Sequence, residues 1–284
     1  MKLASGSSSK APIDHLRRKE ATEGLSTVLS PANAPLRDLA VERLRLDKKG
    51  RGSFIGRTGA RETLLHVLVG TCQLELQGPW GRRVLKNIGE RIDVFSGPPA
   101  SVVLGPQTVY KVTPTTRTVD IAIASVPAGQ QHVREPALIR PEDVQVHPIG
   151  EDHYFRTVRE VIGGGGPAER LRAGETINPT GCWSSWPHHD FDANARLAPK
   201  FEEVFLYFTK PRTGWGIQRR EGLFCNLEKI DDVIVVRNGD AAVLPLGHHP
   251  IVGGVDSQVL YIWFYISPIP KVYSKWAEDL GGYA

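Results

Sequence analysis

Three short clusters of histidine and acidic residues stand in the second half of the chain. They are His188-His189-Asp190, Glu202-Glu203 and His248-His249. Each cluster borders or lies within a predicted β-strand. Neutral imidazole and carboxylate groups are the usual protein ligands of zinc, manganese, iron and nickel. The clusters therefore predict a site for one divalent transition metal and leave open which of these metals it binds.

Strand geometry allows two sets of ligands, because neighbouring residues of a β-strand point to opposite faces. The first set consists of His189, Glu203 and His249. The second set consists of His188 with Asp190, a carboxylate, and His248 or His249. The residue pattern by itself does not decide between the two sets.

Short strands separated by Gly/Pro turns must position these clusters. The clearest runs extend from Thr63 to Leu76, with a break at Gly70, from Thr118 to Val126, from Phe201 to Phe208 and from Val259 to Ile266. Strands at roughly 8–12-residue spacing favour a sandwich or a barrel. Because the second half repeats the style of the first, we predict an all-β fold of two tandem jelly-roll β-barrels. The segment from Leu36 to Leu46 resembles an amphipathic helix, but we predict a strand for its second half.

Length and composition limit the classes of protein to which the chain can belong. Its 284 residues are 40% hydrophobic, its net charge is +4, and its three cysteines form no CxxC pair. We divide the chain into a Ser-rich, disordered tail over residues 1–25, a first barrel over 26–140 and a second barrel over 141–284. The basic residues are scattered, so nucleic-acid binding is not predicted. The sequence has no apolar run long enough to predict a membrane span. A reducing, cytoplasmic location fits the cysteines best.

Several longer motifs resemble the KduI/IolB family of bicupin sugar isomerases. They are GETINPTGCWSSWPHHDFD (Gly174 to Asp192), FEEVFLYF (Phe201 to Phe208), GIQRR (Gly216 to Arg220), NGDAAVLPLGHHP (Asn238 to Pro250) and LYIWFYISP (Leu260 to Pro268). In the first half, NIGERIDVFSGPP (Asn87 to Pro99) resembles the same family. The resemblance implies a bicupin fold and an aldose–ketose isomerisation of 5-deoxy-glucuronate, or of a related sugar acid, in myo-inositol catabolism.

The resemblance also favours the first set of metal ligands. It implies that His189, Glu203 and His249 bind the metal, while Phe191 replaces a second histidine that is usual in the family. At two other pocket positions, Asp190 replaces a family lysine and His248 replaces a family tyrosine. Glu203 cannot easily be both a tight ligand and the base, so His248 and Asp190 are the candidates for proton transfer.

A sugar acid carries a carboxylate, which a guanidinium can bind through two parallel hydrogen bonds. Arg219 is the candidate for this contact, with Gln218 beside it, and Tyr207 shares a strand face with Glu203. In an alternating strand, Gln218 and Arg220 face one way and Arg219 the other. We expect His66, a lone histidine in an apolar run, to be a core residue of a structural first barrel.

Two other functions remain open at this stage. One is a divergent bicupin enzyme for another uronate or polyol-derived acid, and the other is a non-catalytic bicupin that binds a sugar acid. The expected partners are a small sugar acid and further copies of the chain in a homo-oligomer.

Overall fold

The computed structural model describes residues 16–17, 22–50, 52–129, 133–186 and 195–266. The strands of the first half are β1 (Leu16–Arg17), β2 (Gly24–Leu29), β3 (Ala40–Asp47), β4 (Phe54–Arg57), β5 (Arg61–Val69), β6 (Cys72–Gly78), β7 (Gly81–Ile88), β8 (Ser101–Leu104), β9 (Val109–Pro114), β10 (Thr118–Pro127) and β11 (Ala137–Ile139). Those of the second half are β12 (Gln145–Ile149), β13 (Arg156–Ile162), β14 (Leu171–Asn178), β15 (Trp183–Ser184), β16 (Glu202–Lys210), β17 (Trp215–Leu223), β18 (Lys229–Arg237), β19 (Ala241–Leu244), β20 (Leu246–His248), β21 (Ile251–Gly253) and β22 (Gln258–Ile266). Short 3-10 helices lie at Pro141–Asp143, Asp152–Tyr154 and Ala195–Lys200.

Four antiparallel sheets build two barrels. In the first barrel, a six-stranded sheet of order β11-β8-β5-β10-β3-β2 faces a four-stranded sheet of order β4-β9-β6-β7. In the second, a seven-stranded sheet of order β1-β19-β16-β22-β14-β13-β12 faces a sheet of order β15-β21-β17-β18, in which β20 also pairs with β17. The prediction of an all-β protein with two barrels is confirmed.

The two larger sheets pack against each other and form a buried layer between the barrels. Leu64 and Leu68 of β5 meet side chains such as Leu206 of β16 and Ile262 of β22 in one apolar cluster. Strands β5, β10, β16 and β22 are consequently buried on both faces. Burial on both faces explains why their sequences are nearly continuous apolar runs rather than alternating ones.

The layer between the barrels also contains a buried polar network. His66 donates from Nε2 to Glu175 at 3.0 Å, and its Nδ1 accepts from Ser101 Oγ at 3.0 Å. Glu175 also pairs with Arg91 at 2.6 Å and with Arg159 at 2.9 Å. The expectation that His66 is a core residue with its hydrogen bonds satisfied is confirmed.

Two strand predictions agree with the structure, whereas the predicted boundary of the amino-terminal tail does not. The segment Thr63 to Leu76 forms β5 and β6 around Gly70, and the second half of Leu36 to Leu46 is strand β3, as predicted. Two parts of the expected tail lie in strands, because β1 pairs with β19 of the second barrel and β2 begins at Gly24. Among the described residues, no helix is long and apolar enough to cross a membrane.

Candidate functional site

The interiors of the two barrels differ in polarity. The buried cluster inside the first barrel consists of aliphatic side chains together with Cys72 and Tyr110. The interior of the second barrel contains three tyrosines and several buried ionisable or amide side chains, among them Glu203, Gln218 and His249. Buried polar side chains are costly unless they are hydrogen-bonded or bound to a ligand. The second barrel is therefore the candidate location of a functional site.

His249 and Glu203 face each other inside the second barrel. Glu203 comes from β16, where it lies opposite Leu244 of β19 and Tyr265 of β22. His249 follows β20 and is 2% exposed, while Glu203 is 4% exposed. The His249 Nε2 atom lies 3.5 Å from Glu203 Oε2. The structure thus brings together two of the three residues of the first predicted ligand set.

Local backbone contacts fix the orientation of the His249 ring. Its Nδ1 lies 3.0 Å from the Gly247 carbonyl oxygen, which can only accept, so Nδ1 carries the proton and Nε2 keeps its lone pair. Gly247 has φ +138°, and a side chain there would collide with the Glu221 backbone oxygen. Glycine thus allows the close approach of β20 to β17 that places this carbonyl under the ring.

The geometry of the pair fits two ligands of one metal ion. Two donors at about 2.1 Å from a metal are about 3.0 Å apart at a right angle and about 3.4 Å apart at the tetrahedral angle. A hydrogen bond from the far ring nitrogen to a backbone carbonyl is also the usual outer contact of a metal-binding histidine. Within the described part of the chain, no three histidine, cysteine or acidic side chains come together as a metal site.

The histidine-rich segment of the first cluster lies outside the described residues. His188, His189, Asp190 and Phe191 all belong to it, so their predicted roles stay predictions. The chain leads into this segment through Trp186, whose ring lies 6.1 Å from the ring of His248. Trp186, the last described residue before this segment, therefore lies near His248, the residue that precedes His249.

Gln218 and Tyr207 form a buried bridge across the barrel. Tyr207 of β16 donates from its hydroxyl to Gln218 Oε1 of β17 at 3.0 Å. Gln218 Nε2 donates to the His249 carbonyl at 2.6 Å and to the Pro250 carbonyl at 3.1 Å. Burial raises the pKa of Tyr207 well above its usual value, so its hydroxyl keeps its proton. Both side chains hold the His249 turn, and their contact with substrate stays a prediction.

The side chain of Arg219 lies on the opposite face of β17. Its guanidinium pairs with Asp231 at 2.6 Å and with Glu221 at 3.2 Å. Gln218 and Arg220 are buried on the inner face, which is the alternation that the sequence predicts. The structure therefore does not bring the Arg219 side chain to the His249–Glu203 pair.

Five further polar residues of the second barrel were not singled out from the sequence. Arg220 binds Asp232 through two hydrogen bonds of 2.9 and 2.6 Å, and strand alternation alone could have placed it inside. Ser184 lies 2.9 Å from the Tyr261 hydroxyl. Arg156 begins β13 and is 2% exposed. No sequence signal marks Arg156, since an arginine at a strand end is usually solvated.

Solved structures of low sequence identity share this fold. An IolB-like protein from Salmonella typhimurium superposes with a TM-score of 0.80 at 24% identity, over 94% of this chain and 97% of that one. The oxalate decarboxylase of Lactobacillus farciminis superposes with a TM-score of 0.62 at 10% identity, over 93% of this chain and 88% of that one. Two jelly-roll barrels in tandem, with the polar site in the second, define a bicupin protein, as predicted.

The sequence comparisons identify the family within this class. A model of the KduI/IolB family matches residues 15–281, and the chain belongs to the KduI/IolB family, as the motifs predicted. It is 31% identical to a 5-deoxy-glucuronate isomerase from Geobacillus thermodenitrificans over 65% of this chain and 66% of the relative, slightly less than two thirds of the relative's length. It is 27% identical to the enzyme of the same name from Bacillus licheniformis over 93% of this chain and 95% of the relative.

Proposed function

We propose that this protein is a metal-dependent aldose–ketose isomerase that acts on 5-deoxy-glucuronate, or on a closely related sugar acid, in myo-inositol catabolism. The observation that carries the proposal is the buried His249–Glu203 pair, whose Nε2 and Oε2 atoms lie 3.5 Å apart. The name of the relatives supports the reaction class. The polar interior of the second barrel, beside an apolar first barrel, supports a catalytic second barrel and a structural first barrel.

The metal would be held by His249 and Glu203, with His189 as the proposed third ligand. Bound there, a divalent transition metal supplies a Lewis acid for the negative charge that develops on the substrate oxygen. The chain itself fixes the orientation of the His249 ring before any metal binds. The Gly247 carbonyl orients the His249 ring, and Gln218 holds the backbone of the same turn.

Isomerisation also needs a group that moves a proton. A proton leaves the carbon next to the substrate carbonyl and is delivered to the former carbonyl carbon. The hydroxyl proton of the first carbon passes to the former carbonyl oxygen, so that the carbonyl moves by one position. We assign this transfer to His248, which stands beside Trp186 and directly before His249, with Asp190 as the other candidate. Glu203 is directed at His249 and serves as a ligand, so it is not the base.

The proposal is tested by metal content and turnover measured on the same preparations. We compare wild type with His249→Ala and Glu203→Gln, and use His153→Ala as the matched control because His153 is exposed on the 3-10 helix Asp152–Tyr154. Wild type and the control should contain close to one transition metal per chain and convert 5-deoxy-glucuronate to the ketose. Both site variants should lose the metal and at least about a hundredfold in kcat/KM.

The outcomes separate the candidate functions. Wild type that binds no metal after incubation with zinc, manganese, iron and nickel would contradict the proposed isomerase. Turnover of another uronate without turnover of 5-deoxy-glucuronate would keep the metal site and replace the substrate. Metal binding without turnover of any uronate would favour a sugar-acid-binding bicupin.

A further inference from the structure

Arg156 carries a buried positive charge inside the second barrel. It is 2% exposed, and it stands on the same face of β13 as Val158 of the barrel core. Its Nη1 donates to the Tyr154 carbonyl at 3.0 Å, and its Nη2 donates to the Trp186 carbonyl at 3.2 Å. Burial lowers the pKa of this guanidinium from its usual value, although an arginine stays protonated in proteins.

Other buried arginines of the second half each have an acidic neighbour. Arg220 binds Asp232 and Arg159 binds Glu175. Burial raises the pKa of the Glu160 carboxyl, and the nearby charge of Arg172 offsets part of that rise. For Arg156, no carboxylate of the described residues lies within ion-pair distance, and its hydrogen-bond acceptors there are the two carbonyls. A buried charge without an opposite charge is strongly unfavourable, so this site favours an anion.

A chain of contacts through aromatic side chains connects Arg156 to the candidate metal site. Trp186 accepts from Arg156 through its carbonyl, and its ring lies 6.1 Å from His248. The Tyr261 side chain interacts electrostatically with Arg156. The Tyr261 ring stacks on Phe205, with the ring centroids 4.3 Å apart. The Phe205 ring in turn lies 5.9 Å from the ring of His249. Arg156 thus borders the same barrel interior as the His249–Glu203 pair.

We propose that Arg156 binds the carboxylate of the sugar-acid substrate and selects acids over neutral sugars, an inference that rests on the proposed function. A guanidinium has five N–H donors and binds a carboxylate through two parallel hydrogen bonds. Arg156 uses two of its nitrogens on carbonyls and keeps further N–H groups for a ligand. Arg219 is less suited, because Asp231 and Glu221 already neutralise it on the outer face.

The experiment measures binding of an acid and of its neutral isostere. Isothermal titration with D-glucuronate and with D-glucuronamide is carried out on metal-loaded wild type, Arg156→Met, Arg156→Lys and the control Arg172→Met. Arg172 is the matched control, because it is also buried and also donates to backbone carbonyls. Wild type and Arg172→Met should prefer the acid by at least about tenfold, as expected for a charged hydrogen-bonded pair. Arg156→Met should lose that preference through weaker acid binding alone, and Arg156→Lys should keep part of it.

The results distinguish this inference from the proposed isomerase. A preference that survives in Arg156→Met would overturn the role of Arg156 while leaving isomerase activity unaffected. Wild type that binds neither probe, or binds both equally, would also overturn it. An Arg156-dependent preference in a protein that shows no turnover would retain the inference and remove the isomerase. If Arg156→Met does not fold, Arg156→Lys provides the test, because lysine keeps the charge and loses the planar fork. An acid preference equal to that of wild type in Arg156→Lys would then overturn the role of Arg156.

Discussion

Gln218 connects both sheets of the second barrel to the turn that carries His249. Its carboxamide accepts from Tyr207 of the seven-stranded sheet and donates to the carbonyls of His249 and Pro250. The His249 ring is therefore fixed by contacts to its own backbone and by the Gly247 carbonyl. Loss of the Gln218 hydrogen bonds should therefore weaken metal binding, although Gln218 is not itself a ligand.

Gln218→Leu should reduce both stability and metal affinity. The change leaves the Tyr207 hydroxyl and the His249 carbonyl without this partner in a buried site, which costs about 1–3 kcal/mol. Urea unfolding and competitive metal titration measure the two effects, with Gln77→Leu, at the exposed position of β6, as the control. In a double-mutant cycle, Tyr207→Phe and Gln218→Leu should be non-additive, because the two side chains share one hydrogen bond. Additive losses, or unchanged metal affinity, would argue against this bridge.

Sequence reasoning predicted two residues that the structure brings together, while their role as metal ligands stays a prediction. Glu203 and His249 could be predicted because ligand-type side chains stood at strand positions that resemble the family. The choice of Arg219 over Arg220 failed to locate an interior guanidinium, because alternation says that two neighbours differ without saying which one faces inward. Arg156 could not be predicted, since its burial depends on β13 closing the barrel beside Trp186.

Two acidic side chains lie in the first two positions of strands that are otherwise mostly apolar, and each connects one barrel to the other. Glu62 of β5 accepts from the backbone N–H groups of Glu169, Arg170 and Leu171. Glu202 of β16 accepts from those of Arg37, Asp38 and Leu39. In the first contact the acid belongs to the first half of the chain and the donors to the second half; in the other contact these roles are reversed. Strand patterns predicted β5 and β16, but the partners of their acids depend on how the sheets pack.

Glu62→Ala should destabilise the protein by on the order of 3 kcal/mol, because three backbone donors lose a charged acceptor. Glu62→Gln should cost less, since its amide oxygen still accepts. Denaturant unfolding measures both, and Glu142→Ala, at an exposed position of the 3-10 helix Pro141–Asp143, serves as the control. Equal midpoints for Glu62→Ala and Glu142→Ala would show that the contact between the barrels contributes little.

At the scale of the whole molecule, the layer between the barrels joins them through apolar packing around one ionised centre. Burial by itself would raise the pKa of Glu175, but Arg91 and the hydrogen bond from His66 hold it well below its usual value. Burial lowers the pKa of His66, and the Glu175 contact offsets this only in part. The sequence predicted two barrels and a core role for His66. It could not predict this network, in which His66 and Glu175 lie 109 residues apart.

The network makes stability depend on pH in a predictable direction. Because His66 has a lowered pKa in the folded state, it stays neutral there, while in the unfolded chain it takes up a proton below about pH 6.5. The unfolded state then binds more protons, so the free energy of unfolding falls as the pH falls, by up to about 1.4 kcal/mol per pH unit. Glu175 remains ionised throughout this window and contributes nothing to the slope.

His66→Gln should remove this dependence, since glutamine keeps a donor for Glu175 and does not titrate. Urea unfolding at pH 7.5 and pH 5.5 should show a loss of stability that is about 1 kcal/mol larger in wild type than in His66→Gln. The control is His147→Gln, because His147 is exposed on β12 and its replacement should leave the wild-type difference unchanged. If His66→Gln instead followed the wild-type pH profile in parallel, His66 would have to titrate equally in the folded and unfolded states. Such a result is incompatible with a neutral imidazole buried between the barrels.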